Sequence, residues 1–239
     1  MTDNKRALVE RLQRFVDAIG VDLSEKVTLV GGTAPALHDG AEIPIRMTDD
    51  IDVVVRGGFR AWRECLDELE AKRFHPSREE GAPICRYVHG DLVVDVMTTE
   101  PTLGFTNKWY AKAVEARQST AIKGLHVISP LYFLATKFEA FESRGKADPQ
   151  ASHDLEDIVV VLRRDKQLFE LIAHGTEPVH EALRHHLQEF VAHPYAGDFV
   201  QGHLEPDDAS QRQGKRILER MKAAATGAVV DDADLSRRK

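Results

Sequence analysis

In the stretch LVGGTAPALHDGAEIPIRMTDDIDVVV, from Leu29 to Val55, Asp50 and Asp52 open the most strand-like segment of the chain. Side chains alternate across a strand, so these two carboxylates project to one face and Ile51 to the other. Like charges held side by side are costly unless a cation lies between them, and all-oxygen ligation points to Mg2+ or Mn2+. Asp95, in DLVVDVM, interrupts another apolar strand, where a lone charge would be expensive. Three carboxylates from two adjacent strands could hold two ions, an arrangement used for in-line phosphoryl chemistry. Each feature also has a plainer reading. Asp-x-Asp often marks a solvated turn, and Asp95 could pair with Arg86 on the neighbouring hairpin arm.

Upstream, Gly31-Gly32-Thr33 follows the apolar run KVTLV. Glycines let a phosphate approach the backbone, and a helix capped by Thr33 would aim unpaired N–H groups at it. The Thr33 hydroxyl could add a hydrogen bond to a phosphate oxygen. A Gly-Gly after a strand can equally be a simple turn. Cradle and carboxylates lie about 20 residues apart, a workable strand–helix–strand excursion.

The elements that must position these groups are readable from periodicity. Leu8, Leu12, Phe15 and Ile19 predict an amphipathic first helix ended by Gly20. KVTLVGG reads as a buried strand, residues 33–38 as a helix, DIDVVVRGG as a second strand and FRAWRECLDELEAKRF as a helix. ICRYVHGDLVVDVM reads as a hairpin turning at His89-Gly90, and GLHVIS as a further strand. Ser129-Pro130 opens a helical half, with helices expected over 130–144, 152–163, 166–174, 177–192 and 207–224. The expected class is therefore α/β (α+β) with a mixed sheet, organised as 1–128, a helical 129–226 and a tail over 227–239.

Composition narrows the class of function. The chain has 239 residues, 42% hydrophobic and 30% charged, with a formal net charge of -7, as in ordinary water-soluble domains. That charge gives no global pull toward nucleic acid. Cys65 and Cys85 are the only cysteines and form no CxxC pair, which speaks against structural zinc and a disulfide framework. No apolar run approaches membrane-spanning length and the N-terminus has no apolar leader pattern, so no membrane partner is expected and a cytoplasmic location is the default.

The succession GGT, RMTDDIDVVV and DVM resembles the signature of polymerase-β-type nucleotidyltransferases. That resemblance implies Gly31, Gly32 and Thr33 at an NTP triphosphate, Asp50 and Asp52 as metal ligands, and Asp95 as the third carboxylate, binding metal or activating the attacking hydroxyl. Asp49 matches no required position. Many members carry Gly-Ser where this chain has Gly-Thr, and the hydroxyl is kept. In the helical half, Leu134, Phe138 and Phe141 form an apolar seam with Lys137 at its edge and Arg144 two turns on. The next helix has Leu155, Ile158, Val159 and Leu162 as its core face, with Asp154 and Asp157 along one flank. Those aspartates could simply complement a helix N-terminus, and Lys137 could be a snorkelling surface lysine.

The combination of Lys137, Arg144 and HDLEDI resembles the AbiEii/AbiGii-type nucleotidyltransferase toxins, from about Val27 to Leu162. By that likeness Lys137, with Arg144, grips the triphosphate, while Asp154 or Asp157 completes the site. The resemblance implies NMP transfer from an NTP to an acceptor hydroxyl, a toxin of a type IV toxin–antitoxin pair, a tRNA or other acceptor and a cognate antitoxin. Alternatives are an antibiotic nucleotidyltransferase of the aminoglycoside or lincosamide kind and a non-catalytic nucleotide-binding module. Lys108, Lys112, Arg117 and Lys123 form a basic interval that could meet RNA or be a solvated surface. Six histidines from His174 to His203 read mostly as surface residues, because HEALRHH has one residue too many for HExxH.

Overall fold

The computed structural model describes residues 2–40 and 45–230, which form two compact units: 2–38 with 45–136, and 39–40 with 137–230. The division falls between Thr136 and Lys137, inside a helix. Of the expected tail, residues 231–239 lie outside the described residues.

The first unit opens with α1 (Asp3–Ile19), where the Thr2 hydroxyl accepts from the Lys5 amide and Leu8, Leu12, Phe15 and Ile19 are buried. Gly20, at φ 82°, ends it and leads into α2 (Val21–Ser24) and β1 (Val27–Leu29). A 3-10 helix, Gly31–Ala36, connects toward β2 (Asp50–Val55). Then come α3 (Phe59–Ala71), β3 (His75–Pro76), β4 (Arg86–His89), β5 (Leu92–Thr98), α4 (Tyr110–Glu115), β6 (Gln118–Ser119) and β7 (His126–Val127). Pro130–Ala140 forms α5, whose Lys137 begins the second unit.

The chain is thus mixed α/β, with a seven-stranded mixed sheet in the order β3-β4-β5-β2-β1-β7-β6. β2 runs parallel to β5 and antiparallel to β1, and β4–β5 is the expected hairpin, with Gly90 and Asp91 between its arms. A central strand covered on both faces should be apolar throughout. β2 obeys this from Val53 to Val55, and with Ile51 these residues are buried, so its only polar members are Asp50 and Asp52. On α3, Trp62, Cys65, Leu66 and Leu69 form the apolar stripe, and the Trp62 indole N–H donates to the Val96 carbonyl at 2.9 Å. That bond satisfies the one polar atom of a buried indole and pins α3 to β5.

In the second unit α5 ends in a π-helical turn, Phe141–Gly145, followed by α6 (His153–Arg164), α7 (Gln167–His174), α8 (Pro178–Val191), α9 (Ala196–Gly202) and α10 (Asp208–Ala225). α10 touches α6, α7, α8 and α9, so its amphipathic face, with Gly214, Ile217, Met221 and Ala224 buried, is the hub of this unit. Among the described residues no helix is long and apolar enough to cross a membrane.

One expected element differs. The turn after β1 begins as a helix at Gly31, not at Thr33, with Val30 in the capping position and no side-chain cap. Gly31 adopts φ 63°, a left-handed conformation that lets the chain bend into the turn two residues early. Thr33 is therefore an interior residue rather than an N-cap.

Candidate metal centre

Register builds the acidic cluster. Asp52 on β2 is the cross-strand partner of Asp95 on β5, and Asp95 is in turn the partner of Arg86 on β4. Residues directly opposite one another share a face, so Arg86, Asp95 and Asp52 form a row across three strands, with Asp50 two positions along β2 on that face. One carboxylate oxygen each from Asp50, Asp52 and Asp95 lies within 4.8 Å of the others. The three aspartates singled out from the sequence are thus brought together. Asp49 is exposed and lies outside the cluster.

Arg86 is the fourth member. Its Nε and Nη2 donate to the two Asp95 oxygens at 2.8 and 2.7 Å, and Nη2 also reaches Asp50 Oδ2 at 2.9 Å. Paired carboxylates hold the guanidinium firmly in its charged form, its pKa raised chiefly by the Asp95 hydrogen bond. Thr48 donates to Asp50 Oδ1 at 2.7 Å, and its own carbonyl accepts from Arg11. Arg86 thus pairs with two of the three carboxylates, and the ligand atoms that the three aspartates offer are all oxygens. A hard divalent cation of the Mg2+ or Mn2+ type fits that donor set.

The glycines lie against the same row. Val30 donates its amide to the Asp52 carbonyl at 2.9 Å, continuing the β1–β2 pairing and delivering Gly31 to the Asp52 side chain. A Cβ at Gly31 would sit 1.9 Å from Asp52 Oδ2, and one at Gly32 would sit 2.7 Å from Arg46 Nη2. Gly31 needs glycine both for approach and for its backbone angle, whereas the contact at Gly32 is with the movable end of an arginine. Thr33, only 1% exposed, is inside the fold, and its Oγ1 has no hydrogen-bond partner among the described residues.

The second unit gathers the other residues marked in the sequence. Lys137 Nζ lies 3.2 Å from Asp154 Oδ1 and 2.7 Å from Asp157 Oδ2, and Arg144 grips Asp154 through Nε at 2.7 Å and Nη2 at 3.0 Å. Asp154 and Asp157 are 4% and 3% exposed, so they are buried ion-pair members rather than solvated charges on a helix flank. Lys137, 8% exposed, is likewise not a snorkelling surface lysine. Burial alone would push the Asp154 carboxyl up; the Arg144 hydrogen bonds and the Lys137 charge outweigh it and hold the group below its usual range.

Two further expectations meet the structure here. His180 and His186 are buried, at 9% and 7% exposure, although the histidine cluster reads as surface. Both fall on the apolar face of α8, beside Val179, Leu183 and Leu187. In the basic interval, Lys112 is paired with Glu115 at 2.8 Å, Lys108 lies over the Trp109 ring, and Arg117 donates to Thr28. The cysteines are free and buried, and burial drives both thiols up to about 12, far from nucleophilic reactivity.

No protein-family model, curated protein or solved structure matches the chain.

Proposed function

We propose that the chain is a metal-dependent nucleotidyltransferase, moving an NMP from an NTP to an acceptor hydroxyl. The observation that carries this reading is the convergence of Asp50, Asp52 and Asp95 on one sheet face beside a glycine pair. In such a reaction the acceptor oxygen bonds to the α-phosphorus, the α–β phosphoanhydride bond breaks, and pyrophosphate leaves with the electron pair. The carboxylates would hold Mg2+, which when bound supplies charge neutralisation at the phosphate oxygens.

The chain's own residues have separable tasks. Asp50 and Asp52, fixed by the β2 pleat, present acceptor oxygens without side-chain search. Gly31 and Gly32 admit a phosphate close to the backbone. Asp95 is the carboxylate to receive the acceptor proton, and both its oxygens are engaged by Arg86. Proton transfer therefore requires Arg86 to release or share one of them. Lys137 enters the reading through its resemblance to a triphosphate-binding lysine, and a phosphate there would compete with Asp154 and Asp157.

The Arg86 fork specifically favours a second reading, a non-catalytic module whose acidic row is neutralised from within. Incubation of the chain with Mg2+, each α-labelled NTP and, in separate reactions, total RNA, an aminoglycoside or a lincosamide separates these readings. Label transferred to RNA, and lost with Asp52→Asn, supports a transferase acting on RNA. Transfer only to an aminoglycoside or lincosamide places it with the antibiotic-modifying enzymes, and no transfer to any acceptor supports the non-catalytic reading.

A further inference from the structure

A second group of metal-type donors lies in the second unit, independent of the acidic row. On α8, His186 and Glu189 are three residues apart and so share a face. Glu142 comes from the π turn that follows α5, a kind of irregularity often found where a helix must aim a side chain at a site. One ligand atom from each of Glu142, His186 and Glu189 lies within 4.8 Å of the others.

The imidazole is held in place before any ligand arrives. His186 is 7% exposed and stacks on Phe138 with ring centroids 5.4 Å apart and planes 1° from parallel. Its Nδ1 lies 3.9 Å from Glu142 Oε1. Locking the ring plane removes the entropy that a surface histidine would lose on coordinating. The two carboxylates complete a buried-to-exposed gradient, with Glu142 half-buried and Glu189 exposed, so an ion can reach the group from solvent.

A cation is already attracted to this spot. The Lys146 ammonium contacts Glu142 and lies 3.8 Å from Glu189 Oε2. Its side chain is 52% exposed, so it can withdraw to water when a divalent ion takes over both carboxylates. Next to the group is a cavity of about 240 Å³ lined by Phe138, Phe141, Phe190 and Phe199 together with Glu142 and Glu189. Three protein donors beside an open cavity leave coordination positions for water or a small ligand, the arrangement of reactive rather than purely structural zinc sites. His185, with Nε2 3.5 Å from Glu189 Oε1, is near enough to supply a further nitrogen.

We propose that Glu142, His186 and Glu189 form a binding site for a divalent transition-metal ion of the zinc type, with an open coordination position toward the aromatic cavity. The mixed nitrogen and oxygen donors distinguish it from the all-oxygen row on the sheet, which suits Mg2+ or Mn2+. Lys146 is its built-in competitor.

The test uses Co2+ as a visible stand-in for Zn2+, on the full chain carrying Asp52→Asn so that the acidic row is disabled. The expected result is one bound Co2+ with the intense visible absorption of a low-coordinate site, displaced by Zn2+. Glu189→Gln, an exposed change that spares the core, should weaken binding by more than roughly tenfold. Lys146→Met should tighten it several-fold, because the competing ammonium is gone; a merely structural carboxylate–lysine cluster would not respond that way. Absence of bound Co2+ in the Asp52→Asn chain would overturn the site, as would unchanged affinity in both Glu189→Gln and Lys146→Met.

Discussion

Arg86 and Asp95 are cross-strand partners on β4 and β5, joined by a two-point fork at 2.8 and 2.7 Å. The same guanidinium reaches Asp50, so one cation restrains two of the three carboxylates that could ligate metal. Removing it exposes their repulsion. Arg86→Met should destabilise the metal-free chain by about 3 kcal/mol, the scale for breaking a largely buried ion pair. Mn2+ should restore part of that loss by mass action, more than it stabilises the parent. Urea denaturation with and without Mn2+ measures both; an equal loss in the two conditions removes Arg86 from the metal-binding account.

Gly31 tests the fit between the turn and the acidic row. Its φ of 63° and the 1.9 Å approach of a Cβ to Asp52 Oδ2 act in the same direction. Gly31→Ala should cost more than about 1 kcal/mol, since an alanine at positive φ loses more than the entropy it would gain in the unfolded chain. Mn2+ affinity should fall as well, since Asp52 must move. A variant with unchanged urea midpoint would show that the turn tolerates a side chain.

Lys137 sits between Asp154 and Asp157, deep in its unit. Lys137→Met should destabilise by roughly 3–5 kcal/mol, and pairing it with Asp157→Asn should recover much of the loss. Thermal melting of the two single variants and the double variant completes the cycle. Additive losses would mean that the ion pair is energetically silent.

The depressed Asp154 carboxyl predicts the shape of acid unfolding. Its ordinary value is 3.8, and in the folded chain it lies lower. A depressed folded value contributes stability above the unfolded one, and that stability drains away as pH falls through the folded one. Asp154→Asn should thus be less stable than the parent at neutral pH, with the gap narrowing below the usual carboxylate range. Urea midpoints from pH 7 down to acid unfolding measure this. A gap that stays constant with pH would locate the effect in packing instead of charge.

Much of this layout is legible in the residues. Alternation alone places Asp50 and Asp52 on one face, and the hairpin pattern places Arg86 near Asp95. The likeness of Lys137, Arg144 and HDLEDI to a family motif singles out the members of the second cluster, but not their pairing with one another. What periodicity does not carry is burial around a whole helix. Asp154, Asp157, Val161 and Arg164 are buried beside the apolar stripe of α6, so residues on its polar flank become internal ion pairs. The same effect hides His180 and His186 on the inward face of α8. β3 and β6 have two residues each, too few for alternation to register, and α9 is only seven residues long. The early start of the 3-10 turn depends on one backbone angle at Gly31, which residue type permits but does not dictate.

The central claim is that the aspartate row on β2 and β5 binds divalent cations. Mn2+ titration followed by electron paramagnetic resonance, in a Glu189→Gln background that disables the second group, tests it most directly. Bound Mn2+ is expected in that chain, and its loss is expected on Asp52→Asn. Mn2+ binding that is absent from the start, or indifferent to Asp52→Asn and Asp95→Asn, would contradict it.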